Sequence, residues 1–254
     1  MSPRVSLPVK EADRDRPPTI ICPSMLSSDF ARLADESKRM LELGADWLHL
    51  DVMDGHFVPN LTIGAPIIKC LRKHSAAVFD CHLMVSHPKQ WVTDFAAAGA
   101  DMFTFHIEAA VEGGTSALFA DAAHPEVCAL CEAVRAANMH VGLTLKPETD
   151  VTLLFPYIDA GLVDMVLVMT VRPGFGGQKY MPEAADKCRV LRDKYAALLI
   201  QVDGGVDCKT IEDAAGKGAN VVVAGTAILG AQDPEEAMRV MRTAVDKAAT
   251  VGAG

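Results

Sequence analysis

Trp47-Leu-His-Leu-Asp-Val-Met-Asp-Gly-His-Phe-Val-Pro-Asn60 is the stretch from which the fold is read. Residues 47–52 have the apolar character of a buried strand, and the loop that follows turns at Gly55 and closes at Pro59. Alternate side chains of a strand share a face, so His49 and Asp51 point together, towards the strand's C-terminal end. An imidazole beside a carboxylate can hold a divalent cation, and the carboxylate can also carry a proton. Alone, such a pair is as well explained by a satisfied polar contact in a core. The rest of the chain decides between these.

Working outward, strand-like and helix-like segments alternate from Thr19 onward. The strands are expected at residues 19–24, 47–52, 78–85, 101–107, 140–146, 165–171, 198–202 and 220–224. Helical segments are expected from Ser28-Asp29 to Gly44, and over 65–74, 88–98, 125–137, 151–157, 182–195 and 208–217. A short turn at 226–229 and a last helix from Asp233-Pro234 to about 249 complete the series. Near-continuous apolar strands suit parallel strands covered on both faces. Eight such units in 254 residues predict an α/β fold, a (β/α)8 TIM barrel over 19–250, with its site at the strand C-termini. The connection from Ala110 to Pro125 is longer than the others, and no stretch reads as a linker to a second domain.

A net charge of -9 argues against a nucleic-acid partner. It is compatible with an anionic small substrate, because backbone amides and a cation supply local positive potential. The seven cysteines are odd in number and scattered, which points to reduced thiols in a reducing compartment. Cys128-Ala-Leu-Cys131 lacks a second pair and reads as two cysteines of a helix. No apolar run approaches the ~20 residues of a membrane span. Residues 1–18 mix acidic and basic side chains without an apolar core and end at Pro17-Pro18. They are expected to form a loose tail on a cytoplasmic protein.

A barrel assembles its site from distant strand ends. Ser24 ends the first strand, His49, Asp51 and Met53 the second, His82 and Met84 the third, Met169 the sixth and Asp203 the seventh. His49, Asp51, His82 and Asp203 suffice for one closed site for Zn²⁺, and equally suit Fe²⁺, Mn²⁺ or Co²⁺. Glycine-rich loops follow the sixth strand (Gly174, Gly176, Gly177), the seventh (Gly204, Gly205) and the eighth (Gly225, with Thr226). Loops after the last strands with a short extra helix form the usual barrel phosphate cradle, and glycine lets backbone N–H groups close on an anion.

These motifs carry a resemblance. Cys22-Pro-Ser-Met-Leu-Ser-Ser-Asp-Phe30, the His49–Asn60 run, Cys81-His-Leu-Met-Val85, Val168-Met-Thr-Val-Arg-Pro-Gly-Phe-Gly-Gly-Gln178 and Val202-Asp-Gly-Gly-Val206 resemble the ribulose-phosphate 3-epimerase family over residues 19–247. The resemblance implies a barrel of the ribulose-phosphate-binding type that interconverts D-ribulose 5-phosphate and D-xylulose 5-phosphate at C3. Asp51 and Asp203 would be the acid/base pair, and also metal ligands with His49 and His82. One cation per subunit is implied, zinc ahead of iron, manganese and cobalt. Ser24, His82, Met53, Met84 and Met169 would contact the ketopentose, and Gly174, Gly176, Gly177, Gly204, Gly205, Gly225 and Thr226 its phosphate. A homo-oligomer is implied, a dimer ahead of a hexamer, with neither nucleic acid nor membrane as partner.

Three features depart from the family pattern. Thr226 stands where a serine is common, Arg172 where a neutral or acidic residue is expected, and the 110–125 segment is longer than usual. The nearest rival activity is 3-epimerisation of a ketohexose 6-phosphate, which uses the same chemistry. A decarboxylase of the orotidine type would need a lysine among the strand-2 carboxylates, and His49-Leu-Asp-Val-Met-Asp54 has none. A phosphate-binding barrel without catalysis would need no metal pair.

Overall fold

The computed structural model of the protein describes residues 5–9 and 16–251. Eight parallel strands carry the architecture: β1 (Ile20–Pro23), β2 (Trp47–Met53), β3 (Val78–Met84), β4 (Met102–His106), β5 (His140–Leu145), β6 (Met165–Met169), β7 (Leu199–Asp203) and β8 (Val221–Ala224). Between and after them run α1 (Leu33–Glu42), α2 (Ala65–Arg72), α3 (Val92–Ala98), α4 (Pro125–Ala136), α5 (Phe155–Asp159), α6 (Pro182–Lys194), α7 (Ile211–Gly216), α8 (Thr226–Leu229) and α9 (Pro234–Val251). The strands pair in the order β1-β8-β7-β6-β5-β4-β3-β2. Between β1 and β2 a single parallel bridge, Ser24 with His49, closes the ring. The expected (β/α)8 barrel is therefore the fold observed.

The period of two splits every strand between an outer and an inner face. Outward-facing Leu48, Leu50, Phe79, Phe103, Phe105, Val166 and Ile200 are wholly buried in the cluster shared with the surrounding helices. Each contributes about 1.5–3 kcal/mol relative to an exposed side chain. The inner faces form layers. Ile20, Cys22, Trp47, Met102, Met165, Leu199, Val221 and Val223 fill the N-terminal end. Above them the interior turns polar, with His49, Asp80, Thr104, Thr144 and Gln201 fully buried. The continuous apolar appearance of the strands conceals this polar interior.

Where strand and helix limits differ from the sequence expectation, local hydrogen bonding accounts for it. After β1, Asp29 accepts from Ala31 N–H at 2.9 Å, and a 3-10 turn, Phe30–Arg32, precedes α1. Pro88–Trp91 likewise opens as a 3-10 turn before α3. α7 starts at Ile211 rather than Cys208, because Asp207 Oδ1 accepts from the amides of Lys209 and Thr210 and makes a turn there.

The long 110–125 connection is seated on the barrel. Val111 and Leu118 join the main core, and His124 N–H donates to the Tyr157 hydroxyl at 3.0 Å. Part of the 1–18 segment also touches the barrel. Leu7 packs against the N-terminal apolar layer, and His140 Nε2 donates to Val5 O at 2.6 Å. Arg16 is buried and donates to Ala215 O at 2.9 Å. Residues 1–4 and 10–15, on which the rest of the tail expectation falls, lie outside the described residues. Every cysteine is a free thiol. Among the described residues no helix is long and apolar enough to cross a membrane.

Candidate active site

Strands β2, β3 and β7 deliver four side chains to one point at the C-terminal rim. His49, Asp51, His82 and Asp203 each offer a ligand atom, and these atoms lie within 4.8 Å of one another. His49 Nε2 stands 3.3 Å from Asp51 Oδ1 and 3.8 Å from Asp203 Oδ2. His82 Nδ1 stands 3.2 Å from Asp51 Oδ1 and 3.9 Å from Asp203 Oδ2. His49 Nε2 is buried and has no hydrogen-bond partner among the described residues. Two nitrogens and two carboxylate oxygens converging on one space, one of them an orphaned buried nitrogen, fit a divalent cation.

The electrostatics follow from burial and proximity. Burial alone would lower His49, but the Asp51 and Asp80 carboxylates outweigh it and raise its pKa well above the usual imidazole range. Burial would raise Asp51, but His49 and His82 hold it far below the ordinary carboxylate value. Burial and the neighbouring Asp51 charge push Asp203 up to about 7. Burial also lowers His82. The two carboxylates are thus driven in opposite directions.

Above this cluster opens a cavity of about 360 Å³. Asp51, Asp203 and Ser24 line it, and Ser24 Oγ donates to Asp51 Oδ2 at 2.7 Å. Met53, Met84 and Met169 form its apolar wall, and all three are buried. Its far side is built from Gly174, Gly176, Gly177, Gly204, Gly205, Gly225 and Thr226. Gly205 has φ +67°, and a Cβ there would meet the Tyr180 backbone nitrogen at 2.3 Å. The structure therefore brings all the expected site residues together, with His49 and His82 fully buried beside Asp51 and Asp203. Arg172 lies on the same rim, exposed.

Sequence reasoning missed the residues that hold these groups. Asp80 Oδ2 lies 2.7 Å from His49 Nδ1 and also accepts from Gln201 Nε2 at 2.7 Å; Thr104 donates to its Oδ1 at 3.1 Å. Asp80 sits two residues before His82, and Gln201 two before Asp203, so the alternation that found the donor cluster also marks these. His106 and Glu108, at the end of β4, continue the network beyond His82. The loop after β2 is pinned by Asp54, which accepts from the His56, Phe57 and Ser86 amides; these donors outweigh its partial burial and hold it at about 2. Asn60 Nδ2 donates to Gly174 O at 2.8 Å and ties that loop to the glycine loop after β6.

Fold and site together define a (β/α)8 barrel enzyme scaffold with a metal-capable donor set under a glycine-lined cavity. The model of the ribulose-phosphate 3-epimerase family matches residues 20–229. The cytoplasmic isoform of ribulose-phosphate 3-epimerase from Oryza sativa subsp. japonica is 52% identical over 227 residues, 89% of this chain and 94% of that protein. Ribulose-phosphate 3-epimerase from Schizosaccharomyces pombe is 47% identical over 231 residues, covering 90% and 94%. In fold, the chain is similar to 3-keto-L-gulonate-6-phosphate decarboxylase from Vibrio cholerae, with a TM-score of 0.64 at 16% identity, covering 91% and 98%. The chain belongs to the ribulose-phosphate 3-epimerase family.

Proposed function

We propose that the protein inverts C3 of a ketopentose 5-phosphate, interconverting D-ribulose 5-phosphate and D-xylulose 5-phosphate. The observation that carries this is the placement of Asp51 and Asp203 on separate strands, β2 and β7, both lining one cavity beside the His49–His82 donor pair. In one direction Asp51 removes the proton from C3, and the C–H electron pair moves into the C2 carbonyl to give a planar 2,3-enediolate. Asp203 then returns a proton to the opposite face of C3; in the other direction the two exchange roles.

A proton α to a carbonyl is too weakly acidic for an unaided carboxylate. A divalent cation held by His49, Asp51, His82 and Asp203 would polarise the carbonyl and stabilise the developing negative charge by several kcal/mol. Zinc is our first assignment, with iron, manganese and cobalt suited to the same donors. Ser24 orients Asp51 through its hydrogen bond. Met53, Met84 and Met169 keep water from the intermediate. The glycine loops and Thr226 would hold the phosphate with backbone N–H groups; Arg172 would add positive charge at that rim.

We further propose that residues 19–250 form one catalytic domain of a cytoplasmic protein that self-associates, a dimer ahead of a hexamer. Sedimentation of the full chain measures that state. For the reaction, turnover in D2O should place deuterium at C3 of the sugar phosphate. Complete retention of the original hydrogen would sink the enediolate route.

A further inference from the structure

His82 faces the donor cluster with Nδ1 and turns Nε2 away from it, to within 3.0 Å of His106 Nε2. His106 Nδ1 lies 3.1 Å from Glu108 Oε2. Glu108 Oε1 accepts from Lys146 N–H at 2.7 Å and from the Thr149 hydroxyl at 2.5 Å. Both histidine side chains are fully buried and that of Glu108 is 10% exposed, so the two histidines have only each other and these neighbours to bond with.

The polarity of this chain is fixed from its outer end. A main-chain N–H only donates, and an ionised carboxylate only accepts. Glu108 must then accept from His106 Nδ1–H, which leaves His106 Nε2 as an acceptor in the neutral ring. Two lone pairs do not face each other at 3.0 Å unrelieved, so His82 donates from Nε2–H to His106; its Nδ1 lone pair then faces Asp51 Oδ1 at 3.2 Å, a contact that a cation between them relieves. The alternative tautomer would donate Nδ1–H to Asp51 Oδ1 at 3.2 Å and would close the nitrogen to a cation. His49 is fixed more directly, by donating Nδ1–H to Asp80 at 2.7 Å.

We propose that Glu108, acting through His106, is the positioning residue that sets the tautomer of His82 and so opens its Nδ1 to the metal. This rests on the metal reading of the four-residue cluster. A carboxylate partner on the outer nitrogen of a ligating histidine is a common device; here a second histidine transmits it.

Glu108→Gln and Glu108→Ala separate this role from simple structural support. In Glu108→Gln the side-chain carbonyl must still accept from Lys146 N–H, so its NH2 faces His106 Nδ1. That inverts every bond in the chain and puts a proton on His82 Nδ1. Glu108→Ala leaves His106 free to take either tautomer. Zn²⁺ affinity, measured by competition with a chelating dye, should fall roughly 10–100-fold in Glu108→Gln and less in Glu108→Ala. A structural role alone predicts Ala to be at least as harmful as Gln, and that order would overturn the proposal. Two-bond ¹H–¹⁵N correlation spectra of the metal-free protein near neutral pH read the tautomer without any metal. They should show His82 protonated on Nε2 in the wild type and on Nδ1 in Glu108→Gln. A wild-type His82 protonated on Nδ1 would also overturn the relay. Wild-type protein that binds no Zn²⁺ while keeping the Nε2–H tautomer would refute the metal reading and leave the relay standing.

Discussion

Asp80 Oδ2 lies 2.7 Å from His49 Nδ1 in the centre of the barrel, and both side chains have no solvent exposure. The carboxylate thereby decides that His49 offers Nε2, and not Nδ1, to the donor cluster. Asp80→Ala orphans both His49 and the Gln201 amide. It should cost about 1–3 kcal/mol for each unsatisfied group and weaken Zn²⁺ binding by roughly 10–100-fold. Asp80→Asn can keep a carbonyl towards His49 and Gln201 and turn its NH2 to the Thr104 hydroxyl, so its affinity loss should stay under about tenfold. Calorimetric titration of both variants with Zn²⁺ tests this; equal losses would show that geometry, not hydrogen-bond acceptance, is what Asp80 supplies.

Asp203 holds the end of β7 through its main-chain oxygen, which accepts from Thr170 N–H at 2.8 Å and the Thr170 hydroxyl at 2.9 Å. Its side chain is therefore free for chemistry. Asp203→Asn should fold normally and lose roughly 10²–10⁴-fold in kcat, with exchange of the C3 hydrogen into solvent falling in parallel. Turnover within a few fold of wild type would remove Asp203 from the acid/base pair.

Asp203 also makes the metal-free protein sensitive to pH. Its pKa rises from 3.8 to about 7 on folding, so between these values the folded chain holds a proton that the unfolded chain has lost. The stability this contributes is complete below about 3.8 and is gone once the pH has risen past about 7. His49, also raised, acts with the same sign. His82 and His106, both lowered by burial, act with the opposite sign, but only below the ordinary imidazole value of 6.5. Melting temperatures of the chelator-treated protein should therefore fall from about pH 6.5 to pH 8, and Asp203→Asn should flatten the start of that trend. Metal uptake must displace the His49 proton, so Zn²⁺ affinity should increase with pH, by about tenfold per unit for each proton released.

The four-residue donor cluster was legible in the sequence because a period of two puts His49 with Asp51, and because the barrel expectation places His82 and Asp203 at the same rim. Asp80, Thr104 and Gln201 obey the same period but sit deeper in the strands, inside runs that look wholly apolar. Their partners come from β3, β4 and β7, and no spacing along the chain encodes the β3–β7 contact across the barrel axis. The relay through His106 and Glu108 was hidden for a related reason. Glu108 lies beyond β4 and is fixed by Lys146 and Thr149 on the far side of β5. Helix starts shifted wherever a side chain such as Asp29 or Asp207 satisfied the first amides before the helix could.

Gly205 and Gly225 face the same cavity but should fail differently when substituted. At Gly205 the backbone is left-handed, with φ +67°, and a Cβ would meet Tyr180 N at 2.3 Å and Tyr180 Cα at 2.7 Å. Main-chain atoms cannot move aside cheaply, so Gly205→Ala should destabilise the fold by about 1–3 kcal/mol. At Gly225 the added Cβ would meet the Ser27 hydroxyl oxygen at 2.4 Å, while the next contact, Ser27 Cβ, is at 3.4 Å. A serine hydroxyl can rotate away, so Gly225→Ala should leave the melting temperature nearly unchanged. The methyl group would then stand beside the loop proposed to take the phosphate, and KM should rise about tenfold or more with a smaller change in kcat. Denaturant unfolding and steady-state kinetics on the two variants check the contrast. An unchanged KM in a well-folded Gly225→Ala would move the phosphate off the β8 loop, onto the loops after β6 and β7.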